Sequence, residues 1–599
     1  MSRNAEIAAL FYEYADLLEA QSVEYKPNTY RRAAESIREH PTAIEDLATE
    51  GKDAIEEIDG VGDAISSKII EYIETGEIEE LEEERAELPV AMDELTSVEG
   101  VGPKTVGALY WELGVENLAD LEKAASAGEV QKLSGFGAKT EENILDGLEF
   151  AQKARERELL GDTRPLADAL LAYLRGQGGI ESAEVAGSIR RWRETSGDVD
   201  VLVSSVDLEG VVETFADWER VERVIESGEN KASVVANGIR VDLRVVVPEE
   251  FASALQYFTG SKAHNIRFRN RALEHDLKVN EYGIFDITER SSAGQSEASA
   301  SDDISDVEDS SGQRAGVRVA GSTEEGMYEA LDLLWIPPEL REDTGEIDAA
   351  ARGELPDLIE EGDVRGDLHT HTSWSDGTES IPEWINSAEE FGHEYLCISD
   401  HATGPGMVGG VGLSDEDLLE QADEIREAAT DTDIEVFSGV EANIDSEGGL
   451  SVSEEVLENL DLVVASPHSA LDMGSVEATD RLVGAISHPE TDILGHPTGR
   501  LLTRRPGLDP DLQRISEAAA EHNVALEINA NPSRLDLWGR AVKVAVEVGA
   551  TTVINTDAHS KGEFENVRYG VHTARRGWAE RENVLNTWPS KEVAAFIGR

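Results

Sequence analysis

Between residues 187 and 203, a Gly187-Ser188 turn and the pair Arg190 and Arg191 run into an apolar segment that carries Asp198 and Asp200. Residues two apart on a strand face the same side, so the segment predicts a β-strand presenting two carboxylates beside a turn suited to phosphate. A second apolar run, residues 238–247, carries Asp242. A single Asp in an acidic chain is ordinarily a solvated residue. Three on two apolar runs are another matter, because a carboxylate among apolar neighbours is unfavourable to bury unless paired or metal-bound. The set predicts a site that holds divalent metal beside a phosphate chain, as phosphoryl or nucleotidyl transfer requires.

The last third of the sequence holds a second set. From residue 363 short apolar stretches alternate with helical ones, which predicts a parallel α/β layer or barrel. Residues that ligate metals sit where those stretches end: Asp367, His369 and His371, then Asp376, His401, Glu441, His468, His496, Asp557 and His559. Imidazole and carboxylate together suit Zn²⁺, Mn²⁺ or Fe, and barrel enzymes keep their chemistry at the C-terminal ends of strands. His393, His488, His522 and His572 lie in helical or loop contexts and are set aside.

These sites must be carried by several domains, since 599 residues exceed one core. The chain has 124 acidic against 52 basic residues and a net charge of -72, spread over every segment, with only 14 Lys among the basic residues. That pattern predicts adaptation to very high salt, as in a halophile, where the Debye length shrinks to about 3 Å at 1 M. Net charge then says little against DNA as a partner. The one cysteine, Cys397, excludes a disulfide framework and Cys-based zinc sites. No apolar run is long enough for a membrane span and the polar start is no signal peptide, which predicts a cytoplasmic protein.

Residues 1–86 have helical periodicity, with Phe11, Ala15, Leu17 and Leu18 on one stripe and Tyr30, Ala33, Ala34 and Ile37 on another. A repeat follows: an apolar residue and Gly-x-Gly open a helical stretch at Gly60 and Gly62, at Gly100 and Gly102, and at Gly135 and Gly137. Such turns expose backbone N–H groups at a positive helix end, which suits phosphate. Residues 287–316 are Ser, Asp, Glu, Gly and Ala almost without apolar periodicity, which predicts a disordered acidic insertion. Helical pattern resumes at Thr323, and an acidic linker covers residues 346–362.

The three glycine turns resemble helix-hairpin-helix motifs, which grip DNA backbones without reading sequence. The segment from Gly187 to Asp242, with Tyr257-Phe258-Thr-Gly260-Ser261, Asn265 and Arg269 after it, resembles the family X DNA polymerases. That resemblance implies Mg²⁺ or Mn²⁺ on Asp198, Asp200 and Asp242, with Asp242 helping to activate a primer 3′-hydroxyl. It further implies phosphates on Ser188 and Arg191, stacking of Tyr257 and Phe258 on the deoxyribose, and minor-groove or template contacts from Asn265 and Arg269. Lys68 falls at the position of the family's deoxyribose-phosphate lyase lysine, with Lys26 and Tyr30 at neighbouring ones. The C-terminal set resembles the polymerase-and-histidinol-phosphatase (PHP) family. By that resemblance His369, His371, Glu441 and Asp557 hold one metal, Glu441 bridges to a second on His468 and His496, and Asp376, His401 and His559 hold a third.

Together the resemblances imply a multidomain α/β chain of the bacterial and archaeal PolX type. Its expected parts are a helical lyase-like domain (1–86), fingers with tandem hairpins (87–154), a polymerase-beta-like palm (155–248), a thumb with the acidic insertion (249–345), the linker, and a distorted (β/α)₇ PHP barrel (363–599). The expected activity is gap-filling DNA synthesis by a monomer on gapped or primer–template DNA with deoxynucleoside triphosphates. The PHP site would act as a 3′–5′ exonuclease, a 3′-phosphatase or an abasic-site endonuclease. The alternatives are a small-molecule or tRNA nucleotidyltransferase fused to a small-molecule phosphoesterase, and a DNA-binding scaffold with structural metals.

Overall fold

The computed structural model describes residues 3–598, apart from 22, 24–25, 40–43, 45–46, 49–50, 57, 59, 97, 99–100, 134, 142–143, 146, 149–156, 288–316 and 406–410. Gly100 and nearly all of the expected acidic insertion lie outside the described residues. The chain divides into two compact units, one of residues 1–156 with 501–506 and one of residues 157–500 with 507–599.

The first unit is helical. Helices Arg3–Ala20 and Lys26–Glu39 bury both predicted stripes, from Phe11 and Leu17 to Ala33 and Ile37, in one core. Gly60 (φ +72°) and Gly135 (φ +90°) take left-handed backbone in their turns, a conformation glycine adopts without steric penalty. Gly62 and Gly102 are the N-caps of helices Asp63–Thr75 and Pro103–Leu113. A Cβ placed at Gly62, Gly102 or Gly137 would meet nothing within 4 Å, so these turns present open backbone.

After the helix Leu160–Arg175, the second unit forms a mixed five-stranded sheet: β1 (Ser182–Val185), β2 (Val199–Ser204), β3 (Val221–Ser227), β4 (Lys231–Ala236) and β5 (Ile239–Val246), in the order β1-β2-β5-β4-β3. β5 forms because Ile239, Val241, Leu243 and Val245 alternate into the core while Arg240, Asp242 and Arg244 face the other side. The parallel pair β2 and β5 is in register with Asp200 opposite Asp242. Helices Phe251–Thr259 and Lys262–Glu274 follow, then a three-stranded antiparallel sheet of Leu277–Asn280, Gly283–Asp286 and Val317–Ala320 that the periodicity did not predict. The predicted helix after Thr323 is Glu324–Glu329, capped by the Thr323 side chain.

A sheet of seven parallel strands completes the unit, in sequence order: β6 (Gly366–Asp367), β7 (Tyr395–Ile398), β8 (Glu435–Asn443), β9 (Leu462–Ser466), β10 (Ile493–Leu494), β11 (Ala525–Asn529) and β12 (Thr552–Asn555). Strands β7, β9, β11 and β12 are buried throughout, as expected of a parallel sheet covered by helices. A bridge between Thr370 and Ala558, just beyond the first and last strands, nearly closes the sheet into a barrel. Among the described residues no helix is long and apolar enough to cross a membrane.

Two candidate metal centres

Asp198 sits one residue ahead of β2, not inside it, and Asp200 lies within it. With Asp242 on β5 they offer three carboxylate oxygens within 4.8 Å of one another. Gly187 (φ +57°) makes room for them: a Cβ there would lie 2.1 Å from Asp200 Oδ2. Asp242 is held by Arg240 at 3.0 and 3.1 Å and by the Ser233 hydroxyl. Arg240 was not singled out in the sequence, although it shares a strand face with Asp242. A cleft of about 240 Å³ opens over Asp200 and Asp242, with Lys231, Arg244 and Phe258 in its walls.

Burial, and then the Asp198 and Asp242 charges, push the Asp200 carboxyl up to about 7. A donor set of carboxylates alone fits a hard cation such as Mg²⁺ or Mn²⁺. Because the folded value is raised, stability associated with protonated Asp200 is lost as pH rises through about 7, unless a cation replaces the proton. The apparent Mg²⁺ requirement of this centre is therefore expected to rise roughly tenfold per pH unit below about pH 7 and to level off above it. Mg²⁺ titrations of the reaction at this centre between roughly pH 5.5 and 8.5 check this, and a flat requirement would contradict it.

The two arginines of the 187–191 turn differ in placement. Arg190 is half-buried and forked onto Glu324, at 2.9 and 2.6 Å, and also donates to the Thr259 hydroxyl. It ties the turn to the helix Glu324–Glu329. Arg191 donates to Glu342 at 3.0 Å and to the Thr259 carbonyl. The Ser188 and Ser196 hydroxyls face each other. Tyr257 and Phe258 meet edge to face at 5.2 Å, and the Arg244 guanidinium lies 4.9 Å above Phe258. Ser261 caps the helix carrying Asn265 and Arg269, Gly260 is the C-cap of the helix before it, and Asn265 Nδ2 donates to the Tyr257 carbonyl at 2.7 Å. In the helical unit, Lys68 is buried and ion-paired with Glu80 at 3.1 Å, and Glu80 also accepts from the Tyr14 hydroxyl.

The barrel brings all nine C-terminal donors together. Glu441, at the centre and fully buried, has five imidazoles around it. His401, His496 and His468 stand 2.5, 2.9 and 3.2 Å from its oxygens, His369 and His371 at 3.5 and 3.8 Å. Three tight groups emerge: His371, Asp376, His401 and His559; His369, His371 and Asp557; and His401, Glu441 and His468. His371 and His401 are thus shared between groups, which the partition drawn from sequence had kept apart.

Buried polar atoms almost always have partners. Here His371 Nδ1 and His496 Nδ1 are buried without a hydrogen-bond partner among the described residues, while His401 Nδ1 and His369 Nε2 face Glu441 at 2.5 and 3.5 Å without good hydrogen-bond geometry. Imidazoles crowded round one buried carboxylate, with ring nitrogens left unsatisfied, fit a multinuclear metal centre. Burial, then the neighbouring His559 and His401, push His371 down to about 3. Burial opposes charge on His401 too, but Glu441 and Asp376 lift it to about 10.

A supporting shell went unrecognised in the sequence. Glu527 on β11 accepts from His369 Nδ1 at 2.7 Å and from the His496 amide, and Asn443 on β8 lies 2.6 Å from His468 Nδ1. Such partners fix the orientation of a metal-binding imidazole. Glu527 carried a signal, a lone carboxylate in the apolar run Ala525–Asn529. Asp367 and Asp400 serve hydroxyls and amides instead, Asp367 at Thr556 and Asp400 at Thr372, Ser375 and Gln421.

With this geometry in view, the comparisons with known proteins are consistent along the chain. A helix-hairpin-helix domain matches residues 2–78, a SAM-like helix-hairpin-helix tandem residues 92–149, a DNA polymerase beta thumb residues 254–342 and a PHP domain residues 367–531. "Probable phosphatase TTE1963" of Caldanaerobacter subterraneus is 35% identical over 205 residues, 32% of this chain and 75% of that protein. A "Probable phosphatase" of Shewanella piezotolerans is 32% identical over 212 residues, 33% of this chain and 81% of that protein. "DNA polymerase/3'-5' exonuclease PolX" of Bacillus subtilis is 35% identical over 579 residues, covering 96% of this chain and 95% of that protein. A match running nearly end to end through both proteins shows the family, and the chain belongs to the family X DNA polymerases that carry a PHP domain.

Proposed function

We propose that this chain is a template-directed, gap-filling DNA polymerase whose PHP barrel processes DNA 3′ ends by metal-dependent phosphoester cleavage. The observation that carries it is the presence of two separate metal-competent clusters in a chain aligned almost end to end with a protein named for both activities. Its substrates are gapped or primer–template DNA and deoxynucleoside triphosphates.

Asp198, Asp200 and Asp242 would hold Mg²⁺ or Mn²⁺, and the nine barrel donors up to three Zn²⁺, Mn²⁺ or Fe ions. Bound cations supply neutralisation of phosphate oxygens and a lowered pKa for the attacking hydroxyl or water. The chain's own residues supply position. Ser188 and Arg191 receive the triphosphate, whose planar recognition suits a guanidinium. Arg190, locked on Glu324, keeps the turn in place. Tyr257 and Phe258 flank the sugar, Asn265 and Arg269 the nascent pair, and the open glycine turns the DNA backbone. In the barrel, Glu527 and Asn443 orient the imidazoles that face Glu441.

Extension of a primer across a short gap, with loss of 3′ nucleotides assayed on the same DNA, tests the proposal. Template-dependent incorporation plus trimming is expected, and the absence of incorporation with either Mg²⁺ or Mn²⁺ would sink it. The shorter relatives named as probable phosphatases favour 3′-phosphate removal as a second activity of the barrel, read out with a 3′-phosphate-ended primer.

We also infer adaptation to high salt from the charge of -72. Gap filling is expected to persist in about 1–2 M KCl, where counterion release would weaken a Lys-rich binder by orders of magnitude. An activity maximum near 0.1 M KCl with collapse above it, on that same scale, would refute the inference.

A further inference from the structure

Arg191 is the residue that the proposed function requires to change partners. At present its Nε donates to Glu342 Oε1 at 3.0 Å and its Nη1 to the Thr259 carbonyl. Glu342 has a second strong cation, Arg576, whose Nη1 lies 3.2 Å from the same oxygen. That Nη1 also donates to the Arg191 carbonyl at 2.7 Å. Arg193 stands farther off, 3.9 Å from the other carboxylate oxygen. Arg576 does not belong to the polymerase palm. It is the last residue of helix Val567–Arg576, on the outside of the PHP barrel. Its side chain is 7% exposed, and its Nε has no hydrogen-bond partner among the described residues, so the guanidinium keeps a donor in hand.

Two arginines with side chains 13% and 7% exposed thus share one carboxylate. When Arg191 turns to a triphosphate, a carboxylate without another cation would be left half-buried and unpaired, which is unfavourable. With Arg576 in place the carboxylate keeps a charge-assisted partner, and the Arg191 backbone is held while its guanidinium moves. We propose that Arg576, supplied by the PHP barrel, is a positioning residue for the incoming nucleotide: it neutralises Glu342 so that Arg191 can pass from Glu342 to the triphosphate. The proposal rests on Arg191 as the triphosphate ligand.

Steady-state gap filling by the full chain tests it, with deoxynucleotide KM and kcat measured separately. Arg576→Gln is expected to raise KM on the order of tenfold while kcat changes less than about threefold. Adding Glu342→Gln to that variant removes the carboxylate that retains Arg191 and should bring KM back to within about threefold of wild type. A role confined to packing between the palm and the barrel would not be rescued this way, and an unrescued or unchanged KM would overturn the proposal. Trimming of 3′ ends by the same preparations reports that the barrel is folded, and Arg576→Lys, which keeps the charge, should stay near wild type. Arg191→Ala separates the two levels: an unchanged KM in that variant would overturn the reading of Arg191 itself.

Discussion

Asp200→Asn is expected to reduce primer extension by about 10³-fold or more, since charge stabilisation worth several kcal/mol is lost with the metal. Trimming of 3′ ends should be unchanged, because the barrel donors lie on other strands. Among the described residues little besides a bound cation would hold the Asp200 carboxylate in place. It is packed beside Asp198 and Asp242, within the 4.8 Å that separates their oxygens, with Gly187 pressed against it. Burial and those two charges raise its carboxyl to about 7. Without metal the ionised group is therefore destabilising above that pH, and the amide is not. The variant should be at least as resistant to unfolding as the wild type at pH values about one unit above that, in EDTA, and lose this advantage about two units below, where the wild-type carboxyl is protonated. Inactivity with retained or increased stability separates loss of metal from loss of fold. Loss of both extension and trimming, or of neither, would sink the model of two independent centres.

What was legible in the sequence follows the reach of each signal. The palm carboxylates could be read because strand alternation is local: Asp200 and Asp242 each interrupt an apolar run, and their pairing across β2 and β5 follows once both are strands. The nine barrel donors could be read because they fall at the ends of consecutive apolar strands. The apolar pattern by itself left a layer or a barrel open, because near-closure depends on Thr370 and Ala558, far apart in the chain; the barrel was legible only through the resemblance to the PHP family. Arg190 and Arg191 look alike as residues. Only the partners separate them, Glu324 at 134 positions and Glu342 at 151 positions away. A sequence shows that a buried guanidinium needs a carboxylate, not which of 124 acidic residues supplies it. The small sheet ending at Val317–Ala320 escaped notice for a related reason: its strands are four residues each and the last is separated from the others by the acidic stretch.

Glu441→Gln should have the complementary effect, removing 3′-end processing by about 10³-fold or more while extension stays within about twofold. Glu441 is the carboxylate that five imidazoles face, and its oxygens stand 2.5, 3.2 and 2.9 Å from His401, His468 and His496. The amide preserves volume and keeps one oxygen, but removes the negative charge that burial would otherwise disfavour and that His468, His401 and His369 hold well below the usual carboxylate range. A multinuclear site built on a shared carboxylate should then lose its cations together. Metal content measured on the purified variant should fall by more than one ion per chain, a result that a purely local defect would not produce. Glu527→Gln makes the contrast. It loosens His369 without removing a donor from the cluster, so a loss of about 10–100-fold is expected, the range typical of a group that orients a ligand. Equal losses in the two variants would mean that Glu441 acts as a scaffold like Glu527, and undiminished trimming in Glu441→Gln would remove the barrel centre from the reaction.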